Sequence, residues 1–476
     1  MIIGTQNIPG TPRAAMGRVI VATSFSFVVT QLDLTIVNVA LPRIAADLSA
    51  SVAGLQWVVD AYTLPFAVLI ISAGVFGDRF GSRRAYLLGL AVFAAASAAC
   101  GLAPSPAALI AARAAQGAGA ALLIPSSLAL LSHAAADDHG LRARAVGLWT
   151  AAGSVAIAAG PVLGGLLVAS VGWRSIFLVN VPLCALGAGL TLWSVPPGEK
   201  RDATHHLDPA GQLLAIAALT GLTFAVIECR PLGWRHPLVA GSAVVAVMAG
   251  LAFYFAEKKS PEPMLNFEIF RVRNFSPAMV FGTVMNFSFY GIIFVLSLYL
   301  QDARGYSALG AGLAYLPLMT TFIFSNVASG LVGSRSGARL PMISGACIML
   351  AGFVLLARLG PATPYRAMLP AFIAIPLGMG FAIPAMMAMV LSSVDRRLSG
   401  TASAIVNAAR QTGGAFGVAL FGALVGDTPA NIVRGFRMSA LISAALIFVT
   451  VVVAWKSIQP IEGSAEAEHR LRIQIE

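Results

Sequence analysis

The sequence predicts an all-α integral membrane protein of fourteen spans arranged as six, two and six, and three observations carry that prediction. First, 58% of the 476 residues are hydrophobic and only 11% are charged, with a mean hydropathy of +0.83. About a quarter of the residues of a soluble domain are charged. A chain this poor in charge cannot cover a water-facing surface, so its solvent is lipid. Second, the apolar residues form fourteen continuous runs, each close to the ~20 residues that a helix needs to cross a bilayer core. Third, a polar motif behind the second run recurs behind the tenth.

The runs fall at roughly 18–41, 54–76, 85–103, 106–131, 143–168, 176–196, 209–228, 237–256, 277–300, 308–332, 340–358, 366–391, 399–425 and 436–456. They are continuous rather than alternating, which favours helices over a barrel. The Gly-, Pro- and Thr-rich start leads into a run long enough to span, so it reads as a first helix and not a cleavable leader. An even number of spans puts both termini on one side. That side carries 20 of the 31 Lys+Arg, the other carries 9, and Arg113 and Arg410 lie within spans. Lys and Arg accumulate on the cytoplasmic side. Both termini are therefore expected in the cytoplasm, and the chain in the inner (cytoplasmic) membrane as a multi-pass protein.

GVFGDRFGSRR (74–84) and GLVGSRSGARL (330–340) align at a shift of 256, pairing Gly74/Gly330, Gly77/Gly333, Arg79/Arg335, Gly81/Gly337 and Arg83/Arg339. Span two then matches span ten, and spans seven and eight become an insert between two six-helix units. Parallel halves about a membrane-normal axis are a transporter arrangement. The expected organisation is an N-terminal six-helix bundle (1–196), a linker with two additional helices (197–259), and a C-terminal six-helix bundle with a short cytoplasmic tail (260–476). The polar stretch 197–208 (PGEKRDATHHLD) would begin the linker.

Other functions are excluded by inspection. The pI is near 10.0, but the charges sit singly or in small clusters, which reads as topology control and not nucleic-acid binding. None of the four lysines follows a glycine, so there is no phosphate-binding loop, and neither HExxH nor the Gly-x-Ser-x-Gly elbow occurs. Cys100, Cys184, Cys229 and Cys347 form no CxxC and read as small core residues, not disulfides or metal ligands. The chain is read as a non-enzyme with no metal and no cofactor.

Eight stretches carry a family resemblance in order along the chain: LDLTIVNVALP (32–42), WVVDAYTL (57–64), GVFGDRFGSRR (74–84), RAAQGAGAALLIPSSLAL (113–130), GSVAIAAGPVLGG (153–165), GWRSIFLVNVPL (172–183), YLQDARGYSALGAGLAYLP (299–317) and NAARQTGGAFGVALFG (407–422). The sequence resembles the fourteen-helix drug:proton antiporters of the major facilitator superfamily, EmrB/QacA-like. That resemblance implies the major facilitator fold and the export of hydrophobic or amphipathic small molecules, drugs and antibiotics included. Export would proceed by alternating access and be driven by a proton gradient. A dedicated exporter or importer of a single metabolite is the alternative on the same fold. Expected partners are a drug-like small molecule, protons and the bilayer, with no nucleic acid. The expected assembly is a monomer, with a periplasmic adaptor left open as a further partner.

Asp33 and Arg113 are the sharpest pair. Counting residues from the far ends of spans one and four places both roughly 10–12 Å below that surface. An ionised side chain there is costly unless it pairs or faces water. Burial favours a neutral acid and a guanidinium favours a charged one, so alternating those surroundings can couple a proton to a conformational change. The resemblance implies this coupling role; a permanent ion pair that only fixes packing is the competing reading. Asp60, in span two, is either a second protonation site, a ligand for a cationic group, or a wet residue at the cavity mouth.

Gly77, Asp78, Arg79, Gly81, Arg83 and Arg84 would form a gating loop, with Asp78 accepting from helix amides or an arginine. Its repeat partner is Ser334, so the second half lacks the acid. In span five, Gly153, Gly160 and Gly164 fall near one helical face, with Gly165 beside them and Pro161 able to bend the helix. This face is expected to pack closely on a helix of the opposite half, and the resemblance assigns the motif to exporters. Mid-span Arg410 should face a cavity or partner, whether an acid, an anionic substrate group or carbonyls. With Asn38, Tyr62, Asn286, Tyr290, Asn407 and Gln411 it makes up the candidate substrate cavity. Asp33 and Asp60 together balance Arg113 and Arg410, which argues against strictly dicationic substrates.

Overall fold

A segment crossing a bilayer must satisfy its backbone within itself, and all fourteen apolar runs are helical in the computed structural model. It describes residues 13–135, 139–196, 208–260, 265, 267–394, 398–426 and 428–459. The first six spans are α1 (Arg13–Leu48), α2 (Val52–Phe80), α3 (Ser82–Gly101), α4 (Pro106–Ala134), α5 (His139–Ser170) and α6, in two pieces (Ser175–Leu178 and Asn180–Ser194). The insert is α7 (Pro209–Leu232) and α8 (Pro237–Lys259). The last six are α9 (Phe275–Leu298, ending in a wide turn over Tyr299–Ala303), α10 (Ala308–Ala314 and Leu316–Ser336), α11 (Arg339–Leu356), α12 (Tyr365–Ser393), α13 (Ser399–Leu424) and α14 (Pro429–Ser457). Thirteen are long and apolar enough to cross a membrane. The other, α13, has 26 residues but carries Asn407, Arg410, Gln411 and Thr412 along its middle.

Helices outrun the apolar runs at several ends. Hydropathy marks where a helix lies in hydrocarbon, whereas caps and prolines mark where it begins. Thus α14 starts at Pro429 and not near 436, because Thr428 accepts from the Asn431 N–H at 3.4 Å. Ser51, Ser105, Asp208 and Ser307 likewise each accept from the N–H three residues on, at 2.8–3.3 Å. Apart from Asp208, the linker expected at 197–208 lies outside the described residues.

The pairings of the first six helices recur in the last six. α1 packs on α5 and α6 as α9 packs on α13 and α14; α2 on α4 as α10 on α12; α3 on α4 and α6 as α11 on α12 and α14. The sequence repeat explains part of this. Gly81 and Gly337 both turn the chain between helices with positive φ, 93° and 76°, a conformation that glycine adopts without steric cost. Small residues let the backbones touch. A Cβ on Gly117 (α4) would lie 2.2 Å from the Tyr62 carbonyl oxygen (α2), and one on Gly417 (α13) would lie 2.0 Å from that of Phe287 (α9).

The two halves meet through α2 with α13 and α5 with α10. Among the described residues, every hydrogen bond between them lies toward the end opposite the termini. Gln56 Nε2 donates to the Val418 and Ala419 carbonyls at 3.2 and 2.6 Å. Ser297 Oγ donates to the Asn38 carbonyl, and Gln301 Nε2 to the Val39 carbonyl at 3.0 Å. Backbone also meets backbone there: a Cβ on Gly312 would lie 2.4 Å from the Pro161 carbonyl oxygen, and one on Gly165 would lie 2.7 Å from that of Ala308. This end is shut.

The insert sits on one flank. α7 packs across both α2 and α13, while α8 packs on α7. Gln212 donates to the Val68 carbonyl at 3.0 Å and accepts from Ser72, and Trp57 Nε1 donates to Glu228 at 3.0 Å. The remaining face of α8, with Val244, Val247, Met248 and Phe255, is more than half exposed, as suits a helix against lipid. Among the cysteines, Cys100 and Cys184 are core residues, Cys229 is half-buried, and all are unbridged; Cys347 is exposed, which corrects its expected core placement. It lies on the outward side of α11.

Two outcomes follow. Gly117→Val forces α2 and α4 apart and should destabilise the protein by about 1–3 kcal/mol, seen as a lower melting temperature in detergent; an unchanged melting temperature contradicts the packing. A Gln56→Cys/Gly422→Cys pair, with Cys229 and Cys347 replaced by Ser, should cross-link on oxidation and stop transport until dithiothreitol is added. Full transport by the cross-linked protein would show that this end need not open.

Candidate functional site

Five of the first six helices converge on Asp33. The α1 carboxylate and the α4 residue Arg113 are both 0% exposed and form an ion pair between Oδ2 and Nη1. Gln116, one turn beyond Arg113, donates Nε2 to Asp33 Oδ1 at 2.8 Å and accepts from Arg113 Nη1 at 2.7 Å. Asn180, at the start of the second piece of α6, donates to the same Oδ1 at 3.0 Å. Ser97 of α3 accepts from Gln116 at 2.8 Å. Arg113 Nε donates to the Val58 carbonyl of α2 at 2.9 Å, and the guanidinium lies 4.4 Å from the centre of the Tyr62 ring and 5.7 Å from that of Phe177. Cation–π contacts of this kind gain strength when desolvated. Two polar atoms of the knot, Arg113 Nη2 and Asn180 Oδ1, are buried without a partner.

Sequence reasoning named Asp33 and Arg113 but missed Gln116, Asn180 and Ser97. Gln116 carried a usable signal, since residues three apart share a helical face. Asn180 stands in the GWRSIFLVNVPL motif where α6 is broken. Nothing local distinguished Ser97.

Asp60 is not a wet residue at a cavity mouth. It is 0% exposed, and neither carboxyl oxygen has a hydrogen-bond partner. An uncompensated charge in such a place costs several kcal/mol, and none of the described groups compensates it.

Beside the knot is a cleft between the halves with room for about one water molecule, lined by Leu34, Asn38, Val59, Thr63, Tyr290, Gln411, Gly414 and Val418. Of the residues expected in the cavity, Asn38, Tyr290 and Gln411 line this cleft. Tyr62 is turned away beneath Arg113, with its hydroxyl donating to the Thr30 carbonyl at 3.3 Å. Asn286 is 1% exposed and accepts from Arg410 Nε at 3.4 Å, while Asn407 accepts from Arg410 Nη1 at 3.3 Å. Arg410 has no carboxylate partner among the described residues, so Asp60 balances it in number but not in place.

The glycines of α5 divide. A Cβ on Gly153 would strike the Phe27 ring, one on Gly160 would lie 2.0 Å from Thr35 Oγ1, and one on Gly164 would lie 2.8 Å from Ile36 Cγ1. All three therefore pack on α1 of their own half, not on the opposite half as expected. Gly165 and the Pro161 carbonyl are the points of this motif that lie against α10 backbone. The motif thus ties α5 to the helix that bears Asp33 and reaches across at its end.

The expected gating loop is a single-residue turn at Gly81 between two helices. Asp78 and Arg79 occupy the last turn of α2, and both are exposed. The Arg79 guanidinium lies 5.6 Å from the centre of the Phe80 ring. Arg83 donates to the Leu192 carbonyl at 3.2 Å, Arg84 is exposed, and Gly77 lies against Ser126. Asp78 forms no ion pair with a described residue; the side chains of Ser334 and Arg335, the repeat counterparts of Asp78 and Arg79, lie outside the described set.

Comparison with known proteins places this arrangement. The sequence profile of the Major Facilitator Superfamily matches residues 23–418. The chain is 36% identical over 453 residues to the methylenomycin A resistance protein of Bacillus subtilis, covering 94% of this chain and 96% of that one. It is 37% identical over 410 residues to the multidrug resistance protein Stp of Mycobacterium tuberculosis, covering 85% and 75%. It is 33% identical over 463 residues to the puromycin resistance protein pur8 of Streptomyces alboniger, covering 93% and 91%.

The knot makes a stability prediction. Removing one partner of a buried pair costs about 3–5 kcal/mol. Arg113→Gln should therefore lower the melting temperature in detergent, and adding Asp33→Asn should recover much of the loss. A double variant as unstable as the two single losses combined would show that the charges do not act as a pair.

Proposed function

The chain belongs to the Major Facilitator Superfamily, and from that premise we propose that it is a proton-coupled exporter of hydrophobic or amphipathic small molecules, working by alternating access between its two six-helix halves. It is a multi-pass membrane transporter whose relatives are drug and antibiotic resistance proteins. Coupling to protons and outward direction are the further reading. The termini are placed in the cytoplasm, by the excess of Lys and Arg on their side. The shut end of the molecule is then the outer end, and the state described is one closed to the outside.

The observation that carries the proposal is the complete burial of Asp33 among Arg113, Gln116 and Asn180. A guanidinium and two amides meet the negative charge of this carboxylate. Opening the outer end would admit water and a proton to it. Protonation removes the attraction to Arg113, so the knot loosens in one state and tightens in the other. A ligand can shift a two-state equilibrium only through its differential affinity for the states, and the proton supplies one such difference while the exported compound supplies another. Asp60, unpartnered in this state, is the second candidate protonation site. The arginines and Asp78 at the Gly81 turn are candidate contacts for the state closed on the cytoplasmic side. The energy source is the proton gradient, with no cofactor, and the expected unit is a monomer.

A narrower reading, the dedicated export of one compound, is favoured by relatives named for resistance to a single antibiotic, methylenomycin A or puromycin. A panel of dyes and antibiotics tested in a pump-deficient host separates the two: one compound exported supports the narrow reading, several support the broad one.

For coupling itself, Asp33→Asn in proteoliposomes should abolish substrate efflux driven by a pH gradient, while the protein still inserts and folds, with the lowered melting temperature expected of an unpaired Arg113. Unchanged gradient-driven efflux would refute the assignment.

A further inference from the structure

The helices of the second half are almost without acid. From α9 to α14 the described residues include one carboxylate, Asp302, which is exposed in the wide turn that ends α9. Arg410 nonetheless sits midway along α13. Its Nε and Nη1 reach only the side-chain oxygens of Asn286 and Asn407, at 3.4 and 3.3 Å, near the long limit of a hydrogen bond. Its Nη2 donates to no described residue. The stem crosses α9 at Gly282, where a Cβ would lie 3.3 Å from Arg410 Cγ, so that glycine makes room for the side chain. Arg113 in the first half is the contrast, since it is neutralised by Asp33.

A cation at membrane depth pairs or faces a water-filled cavity. Among the described residues Arg410 has no anion to pair with, and the cleft between the halves begins at its neighbours Gln411 and Gly414 and at Tyr290. Two neutral amides orient the guanidinium without cancelling its charge. We infer that Arg410 is the counter-ion for the transported molecule, and that the preferred substrates are amphipathic organic anions such as carboxylates. This deepens the proposed export function and rests on it. The planar guanidinium can take a carboxylate with two parallel hydrogen bonds. The apolar part of the ligand would lie along Leu34, Val59 and Val418, which line the same cleft. Because the cleft holds about one water in the state described, binding belongs to a wider state of the same cavity.

The test is equilibrium binding of two matched fluorescent probes, pyrenebutyrate and its uncharged methyl ester, to the purified full-length protein in detergent, where no proton gradient exists. The parent protein is expected to bind the acid about tenfold or more tightly than the ester, a factor that corresponds to about 1.4 kcal/mol. Arg410→Gln should erase that preference by weakening the acid while leaving the ester unchanged, and Arg410→Lys should retain part of it. A purely structural Arg410, holding α13 to α9 through Asn286, would weaken both probes together. Equal affinity of the parent protein for acid and ester, or no binding of either, overturns the inference, and so does an equal loss of both probes in Arg410→Gln. The comparison within the parent protein decides the matter even where a variant fails to fold. If the acid preference is present but a pH gradient drives no efflux, the proton-coupled reading falls while the anion site stands.

Discussion

The structure depends on one constraint, that a carboxylate and a guanidinium lie wholly out of water and hold each other there. Asp33 and Arg113 are tolerable inside the bundle only because each answers the other, and because Gln116, Asn180, Ser97 and the Val58 carbonyl supply the remaining hydrogen bonds. A buried pair is weak evidence for stability, since packed apolar side chains would serve as well or better. Its presence therefore calls for another reason. Convergence of five helices on one acid supplies that reason: a change in the charge of Asp33 is felt by α1, α2, α3, α4 and α6 at once.

How that change reaches the rest of the molecule follows from α5. Its glycines admit Thr35 and Ile36, residues two and three beyond Asp33, into direct contact. The same helix then meets α10 of the other half through Pro161 and Gly165. A shift at the acid is thus two rigid contacts away from the seam between the halves. The seam brings backbone against backbone at Gly165 and Gly312 and apolar side chains of both halves into one core, with four hydrogen bonds from Gln56, Ser297 and Gln301. Contacts of that kind can be broken and remade without stranding a charge. The polar investment sits inside one half, and the surface that must open is nearly neutral.

Much of this was legible in the sequence because lipid imposes so few options. Fourteen apolar runs became fourteen helices, and a repeat of five residues at a fixed shift marked pairings that recur across both halves. The Asp33–Arg113 pair was legible because two charges at similar depth in one half have few ways to be satisfied. Facing was not legible where helices have two polar sides. Gly153, Gly160 and Gly164 were correctly grouped on one face, but periodicity does not say which helix that face meets. Asp60 illustrates the same limit, since position along a helix reveals depth and not whether water reaches it. Arg410 was recognised as a mid-membrane charge, yet adding charges over the whole chain concealed that no described carboxylate pairs with it.

The seating of the inserted hairpin has a mechanical consequence. α7 is bonded to α2 at both its ends, through Gln212 and Glu228, whereas it packs on α13 with no hydrogen bond among the described residues. In the proposed alternating access, the hairpin would ride as cargo on the first half while its other side slides over α13 like a greased bearing. The flank it covers would stay shuttered throughout that proposed stroke, leaving a lipid-dissolved compound to enter from elsewhere on the perimeter.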